Sequence, residues 1–162
     1  MGVNSFHASG QCTCGQAHYE ITQNPMFVHC CHCSWCQRET GAAFAVNALI
    51  ESACVNLSHG EIEEVQTPTN SGTGQLIVRC PSCKVALWSY YGAAKSAVAF
   101  VRVGTLNNSA LCPPDIHIFT STKLPWVVLD SHVPQMEEYY QRRLYWPEES
   151  IARYKKAIGK MD

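Results

Sequence analysis

A chain of 162 residues with 46% hydrophobic and 15% charged residues has the size and make-up of one folded domain, which excludes a disordered tail. A net charge of −1 gives no general pull toward nucleic acid or anionic lipid, so neither is expected as a partner. No apolar run approaches the ~18 residues a membrane-crossing helix needs. The first seven residues carry neither a basic nor an apolar leader region, so a cytoplasmic (or nuclear), reducing location is expected.

In chain order, Gly10-Gln11-Cys12-Thr13-Cys14-Gly15 reads as a tight turn with a thiol pair held between glycines. Ala17, Tyr19 and Ile21 alternate with polar residues as a half-buried strand, and Asn24-Pro25 turns the chain. The run Cys30-Cys31-His32-Cys33-Ser34-Trp35-Cys36 follows and reads as a ligand loop. Phe44 to Ile50 alternates as a second strand, Cys54 to Leu57 is short and strand-like, and Glu61 to Gln66 is a weak strand. Gln75 to Arg79 runs into Cys80-Pro81-Ser82-Cys83, a zinc-knuckle spelling between strands, since Val85 to Tyr91 and Ala97 to Val103 again read as β. A loop spans 104–114, with short strands at Ile116 to Thr120 and Trp126 to Leu129. Met136, Tyr139, Tyr140 and Leu144 recur at helical spacing, and a second helix begins near Pro147 with Glu148 and Glu149 in its first turn. The expected layout is a zinc-binding β domain over 1–130 with a helical extension, 131–162, packed on it.

Ten cysteines allow five disulfides in an exported protein, but C-x-C pairs make strained bridges and ordinary chelates, and a reducing compartment favours metal. Cys12, Cys14, Cys80 and Cys83 combine a C-x-C with a C-x-x-C, a closed four-thiolate set for a structural zinc. Cys31, Cys33 and Cys36 are three thiols for a second ion, and three leave a corner open to water or substrate. Cys30 is set aside because adjacent residues rarely chelate one ion. Cys54 or Cys112 remains a possible fourth ligand that would close the site. His29 and His32 flank the thiols as candidate proton carriers, and His117 sits on a strand as a structural group or a base.

With these residues placed, the chain resembles the glutathione-dependent formaldehyde-activating enzyme family, which includes centromere protein V. The matching signposts are Gly10-x-Cys12-x-Cys14-Gly15, Cys31-His32-Cys33-x-x-Cys36, Gly41, Cys80-x-x-Cys83, Gly104-Thr105-Leu106, His117-Ile118-Phe119 and Trp126. The resemblance implies a mainly β, Mss4-like β-tent of antiparallel sheets with C-terminal helices. It also implies two Zn²⁺ per chain, one structural on Cys12, Cys14, Cys80 and Cys83 and one catalytic on Cys31, Cys33 and Cys36. The activity implied is that of a carbon–sulfur lyase, joining glutathione or a similar small thiol to formaldehyde or a similar aldehyde. Two departures stand out: Lys84 replaces the family's usual glycine after the second C-x-x-C, and Asn107-Asn108 replaces an acidic residue after Gly104-Thr105-Leu106.

Glutathione is anionic, so basic groups are expected near the open corner, with Arg38, Arg102 and Lys123 as candidates. The competing expectation is a non-catalytic zinc scaffold that binds another protein. Homo-oligomers are compatible with either.

Overall fold

Burial with period two builds most of the sheet framework. The computed structural model describes residues 6–159; the leader reading rests mostly on residues 1–5, outside them. Ten strands occur among the described residues: β1 (Ala8–Gln11), β2 (His18–Ile21), β3 (Phe27–Cys31), β4 (Ala45–Glu51), β5 (Val55–His59), β6 (Glu63–Thr67), β7 (Gln75–Arg79), β8 (Ala86–Tyr91), β9 (Val98–Arg102) and β10 (Ile116–Ile118). They form a three-stranded sheet, β1-β2-β5, and a seven-stranded sheet, β10-β3-β4-β9-β8-β7-β6. The fold is mainly β, as expected, and antiparallel throughout except where β10 pairs β3 in parallel. No described helix is long and apolar enough to cross a membrane.

The large sheet has a core on each face. Ala48 and Ile50 of β4, Ala99 and Val101 of β9, and Trp88 pack toward Tyr19 and Ile21 of the small sheet. Their alternate neighbours Phe27, Cys31, Leu49, Val98, Ile116 and Ile118 face the other way, where the C-terminal segment covers them with Tyr140, Trp146 and Tyr154. That cover is held by α2 (Glu148–Ala157), whose Arg153 makes a two-pronged pair with Glu51 at 2.8 and 2.7 Å. Arg142 stacks on both Trp146 and Tyr154, 4.9 and 3.9 Å from the ring centroids.

Three local expectations are corrected. The run taken as pure ligand loop begins on the last two residues of β3, all five of which are buried, and ends in α1 (Ser34–Thr40). Residues 136–144 form no α-helix, only a 3₁₀ turn at Arg142–Leu144. Their backbone bonds instead run to 117–121, including Met136 N–H to the His117 carbonyl at 2.9 Å and Phe119 N–H to the Glu138 carbonyl at 3.1 Å. Trp126 to Leu129 is not a strand; Trp126 and Val128 are 72% and 93% exposed.

Candidate metal centres

Two hairpin turns bring the first sulfur set together. Cys12 and Cys14 lie in the turn from β1 to β2, and Cys80 and Cys83 in the turn from β7 to β8. Each turn is closed by backbone bonds, Cys12 N–H to Ala17 O at 3.0 Å and Cys80 N–H to Val85 O at 3.1 Å. The four sulfurs lie within 4.8 Å of one another, with Cys12–Cys14 at 3.5 Å and Cys14–Cys80 at 3.7 Å. A tetrahedral zinc with bonds of about 2.3 Å needs sulfur edges of about 3.8 Å, so the donor set fits that ion. The Ala17 amide donates to the Cys12 sulfur at 3.3 Å. The amide of Val85, chiefly, draws the Cys83 thiol down to about 6, which favours the ionised form a metal binds at that one sulfur.

Lys84 does occupy a left-handed position, at φ 63°. Its amide still closes the turn onto the Cys80 carbonyl at 2.9 Å, so the knuckle keeps its shape at a backbone cost of about 1–2 kcal/mol. Its ammonium reaches Glu63 at 2.9 Å, at the surface.

The second set forms where β3 hands over to α1. Cys31 ends the strand; Cys33 is the helix cap, its sulfur accepting the Cys36 amide at 3.3 Å; Cys36 lies in the first turn. Their sulfurs are also within 4.8 Å of one another, and no fourth cysteine, histidine or carboxylate joins them among the described residues. Cys31 is buried, whereas Cys33 and Cys36 are half-buried, so the group opens at a rim. Contacts from Cys31, then Cys36, pull Cys33 down to about 2, while the same contacts push Cys31 up.

The residues weighed as a fourth ligand lie elsewhere. Cys54 donates toward Gln23 Oε1 at 3.7 Å, and Cys112 is packed in the core between the sheets. Cys30 points to the opposite face of β3 from Cys31, as strand alternation requires, and meets His32 at 3.5 Å. His32 in turn lies 3.0 Å from His117. His29 is not beside the thiols' open rim: it is buried, its Nε2 bonds the Tyr140 hydroxyl at 2.6 Å, and burial lowers it to about 3.

Of the basic candidates, Arg102 bears on the thiols. Its buried guanidinium interacts with Cys36 and Cys31, donates to Asn47 Oδ1 and stands 3.6 Å from Glu39. Glu39 also pairs with Arg79 at 2.5 Å. Lys123 spends its ammonium on the carbonyls of Leu124 and Val127, at 3.1 and 2.7 Å, and Arg38 is exposed on α1. Sequence reasoning missed Glu39, Asn47 and Gln37, whose amide ties α1 to the carbonyls of His32 and Thr122 at 2.8 and 3.0 Å. Nothing in their spacing marked them, because they act through partners distant in sequence.

Comparison with known proteins agrees with this picture in one respect and is silent in another. No curated protein matches the chain. Among solved structures, the chain is similar to a Rhodobacter sphaeroides protein, at 19% identity and a TM-score of 0.47, over 62% of this chain and 88% of that one. The family described as glutathione-dependent formaldehyde-activating enzyme matches residues 7–122, a span that contains all three cysteine segments. With that span and its converging thiols in hand, the chain belongs to the glutathione-dependent formaldehyde-activating enzyme family.

Proposed function

We propose that the protein is a carbon–sulfur lyase that joins, or in reverse releases, a small thiol such as glutathione and a small aldehyde such as formaldehyde. The reaction is balanced without any oxidant: a sulfur–carbon bond forms, the carbonyl π bond breaks, and the thiol proton ends on the aldehyde oxygen. Cys31, Cys33 and Cys36 hold the catalytic zinc in this reading, and Cys12, Cys14, Cys80 and Cys83 a second, structural one. A zinc on three thiolates supplies a soft cation that binds an incoming thiol and favours its deprotonation. The single observation that carries the proposal is a three-sulfur group with no fourth protein donor among the described residues, set at a half-exposed rim.

The chain's own residues do the rest. The Cys33 sulfur is fixed by the Cys36 amide, so the donor triangle is rigid before substrate binds. Arg102, buried behind the thiols, offsets the −1 charge that three thiolates leave on a divalent ion, which favours a fourth, anionic sulfur. The catalytic unit would span residues 1–130, with 131–162 packed on it, in the cytoplasm. Cys33→Ser is expected to lose one zinc equivalent and all thiol–aldehyde condensation while staying folded. Unchanged turnover in that variant would refute the lyase reading.

A scaffold that docks a partner protein is the second reading, and the exposed Trp126 and Val128 favour it. Zinc X-ray absorption with and without glutathione separates the two, since only an open three-thiolate ion gains a sulfur neighbour.

A further inference from the structure

Strand alternation leaves a third group of donors that the proposed lyase chemistry does not use. Cys30 points to the face of β3 opposite Cys31, and His32, just past the end of that strand, brings its ring against it. His117 of β10 is the register partner of Cys30, so its side chain projects from the same face. The three are 1%, 0% and 8% exposed. His32 Nε2 lies 3.5 Å from the Cys30 sulfur and 3.0 Å from His117 Nδ1, and the three donor atoms fall within 4.8 Å of one another.

We propose that Cys30, His32 and His117 form a third metal site, which takes a borderline divalent cation such as Zn²⁺ through one thiolate and two imidazoles. Bond lengths of about 2.3 Å to sulfur and about 2.05 Å to nitrogen predict tetrahedral edges of about 3.6 Å for S···N and about 3.3 Å for N···N. The observed 3.5 and 3.0 Å match those edges to within a few tenths of an ångström. Hydrogen bonding alone accounts for the cluster poorly. Nε2 has either one proton or one lone pair, yet two partners crowd it. The other ring nitrogen, Nδ1, is buried with no partner, so the Cys30–His117 side is the ring's one polar outlet. A cation placed among the three atoms uses all three lone pairs at once.

The chemistry suits both the donors and the neighbourhood. A Cys–His–His set is softer than carboxylate sites and harder than four thiolates, which is the range zinc occupies. One thiolate and two neutral imidazoles leave a net charge of +1 on a divalent ion, across the strand from the −1 of the three-thiolate set. The ion would also staple β10, a strand of three residues at the sheet edge, to β3.

The test is done on the full protein, refilled with Zn²⁺ and freed of excess. Metal analysis is expected to give three equivalents per chain, and two for either Cys30→Ala or His117→Gln. Cadmium-substituted protein read by cadmium NMR is expected to give three lines. One of them is displaced from the all-sulfur range toward nitrogen ligation and is lost in His117→Gln. Parent protein with two equivalents and only all-sulfur lines would overturn the proposal and leave the trio as a hydrogen-bonded cluster. The parent spectrum decides even if a variant fails to fold. Absence of the three-thiolate line, with the nitrogen-shifted line present, counts against the lyase reading and leaves this site standing.

Discussion

Removing Cys80 should unfold the protein, whereas removing Cys33 should not. Cys80 and Cys12 are 0% and 1% exposed and belong to the core between the two sheets, so an ion there joins the β1–β2 and β7–β8 turns across the main packing interface. Structural zinc in such a set contributes about 10–16 kcal/mol to folding, against a total stability of about 5–15 kcal/mol for a domain. Cys80→Ser, or chelation strong enough to strip this ion, therefore leaves no stable fold. Each kcal/mol corresponds to about 2–4 °C of melting temperature at this chain length, so even partial retention of the ion would show as a shift of tens of degrees. Cys33 and Cys36 line a half-exposed rim, and loss of an ion there removes no contact between the sheets. The assay is thermal unfolding by circular dichroism on both variants, with metal content measured alongside. A Cys80→Ser protein melting within about 4 °C of the parent, about 1 kcal/mol, refutes the assignment of that site as structural.

Three further outcomes are expected. Gly60→Ala places a Cβ 1.8 Å from the Gln16 carbonyl at φ +82°, inside the turn that carries Cys12 and Cys14. It should cost more than about 3 kcal/mol in urea denaturation and make zinc easier to chelate. Tyr140→Phe breaks a chain in which Trp146 Nε1–H donates to the Tyr140 oxygen and the Tyr140 hydroxyl bonds His29 Nε2, both at 2.6 Å. Two buried polar groups lose their partner, for about 2–5 kcal/mol, read as a lower urea midpoint at unchanged slope. Arg153→Ala should cost about 2 kcal/mol at neutral pH. Arg153 holds Glu51 below the usual carboxylate range against the opposing pull of burial. A depressed carboxylate contributes stability above its unfolded value of about 4.3 and loses it as pH falls through the folded one. The parent and the variant should therefore converge in stability in acid, below about pH 4, and a constant gap would contradict the ion pair.

Where the chain alternates, its strands were legible, and where one element is buried on both faces they were not. β2 buries one side only, so Tyr19 and Ile21 stand out at period two. β3 has no polar side at all, and its Phe-Val-His-Cys-Cys run carries the look of ligands, which hid the strand. Met136, Tyr139, Tyr140 and Leu144 mimic a helix in spacing, but the segment gives its backbone bonds to 117–121, a long-range demand that local periodicity cannot express. The sulfur sets were legible because chelation writes itself into short spacings. Which face each sulfur takes was not, since that needed β3 to be recognised as a strand.

Once β3 is a strand, the odd run of four thiols and an imidazole becomes simple. Alternation sends Cys31 to the face covered by the C-terminal segment and Cys30 to the opposite face. Thiolate zinc chemistry is the same wherever it sits, so the number of donors decides the role. Cys12 and Cys80 are buried while Cys14 is exposed and Cys83 half-buried, but four thiolates fill a tetrahedral ion, and an ion among that set holds the fold together. Cys33 and Cys36 keep part of their surface in solvent because α1 starts at that point and carries them outward. If α1 continued as strand instead, Cys36 would be drawn away from Cys31 at about 3.3 Å per residue, and the triangle could not form. The seven-residue helix is thus what converts a thiol-rich strand end into a three-sulfur group with an approachable fourth position.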